Sequence, residues 1–179
     1  MRSTRSVVLC SLVLYTALGA GCGARRAPGA TTAPSTETTT EATVAEVPCT
    51  RWDPTADPTL APADVAAPPA PARRGADGLR FCILREGTGQ ERPTRSSRVR
   101  VHYTGWTTDG QMFDSSHSRG EPATLAVGEV IRGWTDALTH MTVGQVRRVW
   151  IPEELAYRGA EGAPAGMLVF DIELVAIEH

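Results

Sequence analysis

The amino-acid sequence predicts an α+β domain of about five antiparallel strands and one short helix, the helix covering one face of the sheet. Three observations carry this. Two segments, "SRVRVHYTGW" and "MLVFDIELVAI", alternate apolar and polar residues with the period of a half-buried strand. A third, "VIRGWTDALTHM", spaces Trp134, Leu138 and Met141 as one helix face would. The residues before position 78 show neither period, so the folded domain is assigned to residues 78–179.

The chain opens on "MRSTR", positively charged, followed by "SVVLCSLVLYTALGA", an apolar run too short to span a bilayer comfortably. Residues 1–22 therefore read as an export signal. Its end, "ALGAGC", resembles the bacterial lipoprotein processing site, in which the cysteine, here Cys22, is lipidated and becomes the new first residue. Gly19 stands where an aliphatic residue is usual, and plain cleavage after Ala20 is the alternative. Residues 23–77, rich in Ala, Pro and Thr, read as a disordered tether with a reach on the order of 40 Å. Cys10 lies in the signal, which leaves Cys49 and Cys82 in the exported chain, either as two free thiols or as a disulfide pinning part of the tether onto the domain.

Within the domain, "GLRFCILREGTG" sets Leu79, Phe81 and Ile83 against Arg80 and Cys82 and stops at Gly87, as a strand would. In the next strand Val99, Val101 and Tyr103 oppose Arg98, Arg100 and His102, and the Asp109-Gly110 pair turns the chain into its neighbour. "ATLAVG" is extended and leads to the helix, whose region closes at Gly144. "QVRRVWIP" is again extended, with Arg147 and Arg148 expected as solubilising charges at a strand edge. The last strand sets Leu168, Phe170, Ile172 and Leu174 against Asp171 and Glu173.

Several functions are excluded on composition and spacing. The formal net charge is -2, and the arginines of "RPTRSSRVR" have no interleaved aromatics, so they read as a solvated face and no nucleic acid is expected. His102, His117 and His140 lie far apart with no second spaced ligand, so no metal is expected. Asp136 and His140, four apart on the helix, read as a surface pair. "GTGQER" lacks the third glycine of a dinucleotide loop, and no cofactor is expected.

"VHYTGWTTDGQMFDSS", "VIRGW", "MTVGQ", "IPEELAY" and "GMLVFDIEL" follow one another in the order and spacing of the FKBP family of peptidyl-prolyl cis-trans isomerases, which the chain resembles over residues 78–178. The resemblance implies a half-open antiparallel sheet wrapped around one short helix, with a shallow apolar pocket between them. It also implies a site made of Tyr103, Phe113, Asp114, Trp134, Tyr157 and Phe170 as catalytic residues, with Val130 and Ile131 binding substrate. Trp134 would be the floor and Tyr103, Phe113 and Phe170 the walls. The Tyr157 hydroxyl and the Ile131 N–H would bond substrate carbonyls, and Asp114 would orient Tyr103. Read without the family, Trp134 and Phe170 are core residues and Asp114 caps a turn.

Such a site needs no acid, base or metal. Rotation about a prolyl bond crosses a barrier of about 18–20 kcal/mol because it destroys amide resonance, and the twisted amide is the less dipolar state. A dry aromatic pocket therefore favours it over the planar ground state. The expected role is an exported, monomeric isomerase of the bacterial envelope, tethered through Cys22 and acting on proline-containing segments of envelope proteins. The alternatives are a non-catalytic module or chaperone holding such segments, and an anchoring protein with a vestigial pocket. Two departures from the family, the short "RGAEGA" after Tyr157 and Ala123 in place of an aromatic, leave the pocket more open and put high affinity for macrolides in doubt. No inserted chaperone flap is expected.

Overall fold

In the computed structural model, which describes Cys49 and residues 51–178, one antiparallel sheet of seven strands wraps a single helix. The strands are β1 (Arg73–Arg74), β2 (Arg80–Arg85), β3 (Arg98–Thr107), β4 (Met112–Ser115), β5 (Ala123–Ala126), β6 (Val146–Ile151) and β7 (Leu168–Glu178). The helix is α1 (Arg132–Thr139). Spatial order is β1-β2-β6-β7-β3-β4, with β5 also on β3. The spine is the β3–β7 ladder, which runs from Arg98 opposite Glu178 to Thr107 opposite Leu168 with an irregularity between Arg100 and Val101. The other edge of β3 is shared: β5 takes its first half and β4 its second. The export signal, Cys22 and the expected tether up to residue 48 lie outside the described residues.

The period-two pattern explains why these segments are strands and which way they face. Val99, Val101 and Tyr103 of β3, with Leu168, Phe170, Ile172 and Leu174 of β7, turn to the helix side and pack on Trp134, Ala137, Leu138 and Met141. Gly133 lets the helix lie directly on β6, since a Cβ there would stand 2.5 Å from Ile151 Cγ2. Gly144, at φ +84°, makes the turn from the helix region into β6, where its N–H donates to the Leu174 carbonyl at 2.8 Å.

The second face of the sheet is where the structure departs from the expectation of a tether reaching residue 77. Residues 51–72 lie across it as an arm, contributing Trp52, Val65 and Ala72 to a second apolar cluster with Cys82, Leu84, Val146, Trp150 and Val169. The Cys49–Cys82 disulfide fixes one end of the arm to β2. The indole N–H groups of the buried Trp106 and Trp150 donate to the carbonyls of Thr59 (3.2 Å) and Asp64 (3.1 Å). An Ala/Pro-rich segment buries little by itself, but here the sheet supplies the tryptophans and the arm supplies the carbonyls they need.

Arg147 and Arg148 are the second departure. Both are 6% exposed, because β6 is an interior strand between β2 and β7 and both its faces are covered. Arg148 turns to the arm, where it forms a bidentate pair with Asp171 (2.7 and 2.8 Å) and reaches Asp64 at 2.5 Å. Arg147 turns to the helix side and donates to the Gln145 side chain at 2.8 Å and to the His140 carbonyl at 2.5 Å, just past the end of α1. A cation there complements the negative end of the helix dipole. A buried charge is tolerable only with such partners, and the strand-edge assignment had none to offer.

Candidate active site

The β3–β4 hairpin, the start of α1 and the middle of β7 converge on one open cleft of about 260 Å³. Tyr103, Asp114, Val130, Ile131, Trp134, Tyr157 and Phe170 line it, as do Leu125 and Glu129, which the sequence did not single out. Each arrives by a local rule. Tyr103 and Phe170 are inward positions of β3 and β7, Trp134 lies on the sheet-facing side of α1, and Asp114 sits on β4 opposite Gly105. Tyr157 follows a single 3-10 turn, Glu153–Leu155, and is 36% exposed at the rim.

The aromatic rings form a chain of edge-to-face contacts. Tyr103 meets Trp134 at 5.0 Å and 86°, Trp134 meets Phe170 at 5.3 Å and 89°, and Phe170 meets Phe113 at 5.5 Å and 88°. Phe113 thus buttresses Phe170. Gly105 makes room for both, because a Cβ at this position would lie 2.6 Å from Phe170 Cε1 and 2.8 Å from Phe113 Cζ.

The polar side of the cleft is organised by Arg119, which no sequence signal had marked. Its guanidinium donates to Asp114 Oδ1 at 2.6 Å and to the Tyr103 hydroxyl at 2.8 Å, and that hydroxyl donates to Asp114 Oδ2 at 2.5 Å. Burial pushes the Asp114 carboxyl up, but its bonds to Tyr103 and Arg119 outweigh this and hold it below the ordinary carboxylate range. Burial and the Asp114 bond hold the Tyr103 hydroxyl above its usual value, against the pull of Arg119. Tyr157 is raised as well, by burial and then by the Asp114 charge, so its hydroxyl stays a donor. The Ile131 N–H has no acceptor among the described residues, because it precedes the first turn of α1.

Other expected features fall elsewhere. Ala123 is half-buried on β5 and packs against the core, and "RGAEGA" forms an exposed turn with Arg158 and Gly159 at φ of 56° and 73°. His102 and His117, distant in sequence, stack at 4.5 Å across the hairpin. The His140 ring donates to the Asp136 backbone carbonyl at 2.8 Å, where a pair with its side chain had been expected.

Comparison with known proteins gives this geometry its family. A profile described as FKBP-type peptidyl-prolyl cis-trans isomerase matches residues 89–175. A peptidyl-prolyl cis-trans isomerase of Schizosaccharomyces pombe is 39% identical over 106 residues, 56% of this chain and 95% of that protein. The chain belongs to the FKBP-type peptidyl-prolyl cis-trans isomerases. The FKBP-type 22 kDa isomerase of Escherichia coli is 50% identical over 104 residues, 56% of this chain and 50% of its own length. A crystal structure of a peptidyl-prolyl cis-trans isomerase from Pseudomonas syringae superposes with a TM-score of 0.55 at 40% identity, covering 62% of this chain and 83% of that one. The chain thus spans half the length of the E. coli relative.

Proposed function

We propose that this chain is an exported prolyl isomerase that accelerates rotation about prolyl bonds in proteins of the cell envelope. The observation that carries the reading is the cleft itself: the Trp134 ring stands nearly perpendicular to both Tyr103 and Phe170, beside two hydrogen-bond donors, the Ile131 N–H and the Tyr157 hydroxyl, that have no acceptor among the described residues. A proline ring set on Trp134 would leave water, and the carbonyls on either side would take the Ile131 N–H and the Tyr157 hydroxyl. The twisted amide, less dipolar than the planar one, suffers less from that loss of water, so the cleft lowers the barrier without bonds being made or broken. A reduction of about 7 kcal/mol would accelerate the rotation about 10⁵-fold. Asp114 and Arg119 act on Tyr103, holding its ring and hydroxyl in one orientation. Residues 78–179 are the catalytic domain, and residues 23–48 tether it to a lipidated Cys22, as a monomer. Support for export is the charged and apolar start of the sequence and its "ALGAGC" end.

The test is isomerisation of a short prolyl peptide by the full chain beside Asp114→Val and Phe113→Ala variants. Acceleration that both changes reduce supports the enzyme and its site. A folded chain without acceleration, yet binding proline-containing peptide, moves the assignment to a non-catalytic holding module. Fatty-acid labelling of the chain and of Cys22→Ser tests the anchor, and an unlabelled parent chain refutes it.

A further inference from the structure

A second cavity, of about 390 Å³, lies where the β1–β2 turn meets the end of α1, apart from the prolyl cleft. Its wall gathers residues that the sequence scattered among unrelated roles. Arg74, Arg92 and Arg147 face it together with one carboxylate, Asp136, a net of two positive charges in the wall, and outside the wall Glu86, bonded to Gln145, acts on Arg147 as well. Arg74 and Arg92 are exposed and make no ion pair among the described residues. Arg147 is buried and held in place: Gln145 takes its Nε and the His140 carbonyl one Nη, which leaves the other Nη without an acceptor among the described residues. The floor is apolar, formed by Leu79, Ala137 and Phe81, with the Arg147 guanidinium 4.8 Å above the Phe81 ring.

Like charges are not usually assembled around a cavity without something to neutralise them. The planar forks of Arg74 and Arg92, with the remaining Nη of Arg147, match the oxygens of a phosphate monoester, which carries about two negative charges at neutral pH. We propose that this cavity is a ligand site for a phosphate group, with an apolar body attached to that phosphate resting on Leu79, Phe81 and Ala137. Burial, and then the charge of Arg92, lower the Arg147 guanidinium to about 10, against the opposing pull of Glu86 and Asp136. The phosphate could be that of a soluble phosphomonoester or of a lipid headgroup, whose diester carries one charge in place of two but presents its oxygens to the same guanidinium groups.

The test titrates the isotopically labelled full chain with inorganic phosphate and with phenyl phosphate, at ionic strength matched with sodium chloride, following amide resonances. Saturable shifts are expected at Gly75, Ala137 and His140, tighter for phenyl phosphate because of the apolar floor. The Arg74→Gln/Arg92→Gln double variant, altered only at exposed positions, should weaken binding at least about tenfold, equivalent to about 1.4 kcal/mol. Asp136→Asn should tighten it. Neither variant should alter prolyl isomerisation. Sedimentation with phosphatidylglycerol vesicles, lost in the double variant, would identify the lipid headgroup as the source, and phosphate binding without vesicle binding would identify a soluble phosphoester. Shifts that fail to saturate, that chloride reproduces, or that persist unchanged in the double variant overturn the proposal.

Discussion

Replacing both Cys49 and Cys82 by serine should cost the domain about 4 kcal/mol of stability while leaving the prolyl cleft as it is. The disulfide joins residues 33 apart in sequence, and closing such a loop removes about 12.5 cal/mol/K of entropy from the unfolded chain. At 25 °C this is the figure given. With a denaturant slope of about 2 kcal/mol/M, the urea midpoint should fall by about 2 M. Tryptophan fluorescence reports the transition, because Trp106 and Trp150 lie under the arm and are almost fully buried. Cys82 belongs to the cluster on the arm side of the sheet, whereas Trp134 and Phe170 belong to the helix side, so isomerisation per folded molecule should be unchanged. A midpoint shift below about 0.5 M would refute the argument that the cross-link stabilises the fold by restricting the unfolded chain. A loss of activity without loss of stability would refute the separation of the two faces.

Trp134→Leu removes two edge-to-face contacts worth about 0.5–1.5 kcal/mol each, and should lower kcat/KM in a peptide assay by about tenfold or more while the circular dichroism of the sheet is retained. Gly105→Ala should destabilise by about 1–3 kcal/mol in urea and reduce activity, because its methyl would displace Phe170. Asp114 has a lowered folded-state value, so its contribution to stability is present above its unfolded value of about 3.9 and is lost as pH falls through the lower folded one. Urea midpoints should therefore decline below about pH 4 in the parent chain, and that part of the decline should be missing in Asp114→Asn.

Local periodicity made much of the fold legible. The alternation in β3 and β7 placed Val101, Tyr103, Phe170 and Ile172 on one face before any pairing was known, and the spacing of Trp134, Leu138 and Met141 oriented the helix toward it. Both signals are short-range, because side-chain direction follows the backbone period within one element. Register with a known family then brought Tyr103, Phe113, Asp114, Trp134, Tyr157 and Phe170 together as a candidate site; all of these but Phe113 line one cleft, and Phe113 packs edge-to-face against Phe170. Arg119 escaped because its part in the cleft depends on a 3-10 turn, His117–Arg119, that swings it back over Tyr103.

The sequence by itself determined the strand faces and the helix, since each is written in residues a few positions apart, whereas the aromatic set, spread from Tyr103 to Phe170, was legible only through the family resemblance. Only the tertiary structure decided that β6 is interior, that Arg147 and Arg148 are consequently buried, and that an Ala/Pro-rich stretch from residue 51 onward lies on the sheet as an arm. Those outcomes depend on partners distant in sequence, such as Asp64 for Arg148 and Thr59 for Trp106. Composition ranks a segment by the apolar surface it carries, and this arm carries little. What holds it is a cross-link and a few hydrogen bonds to buried groups of the sheet, which exist only once the sheet has formed.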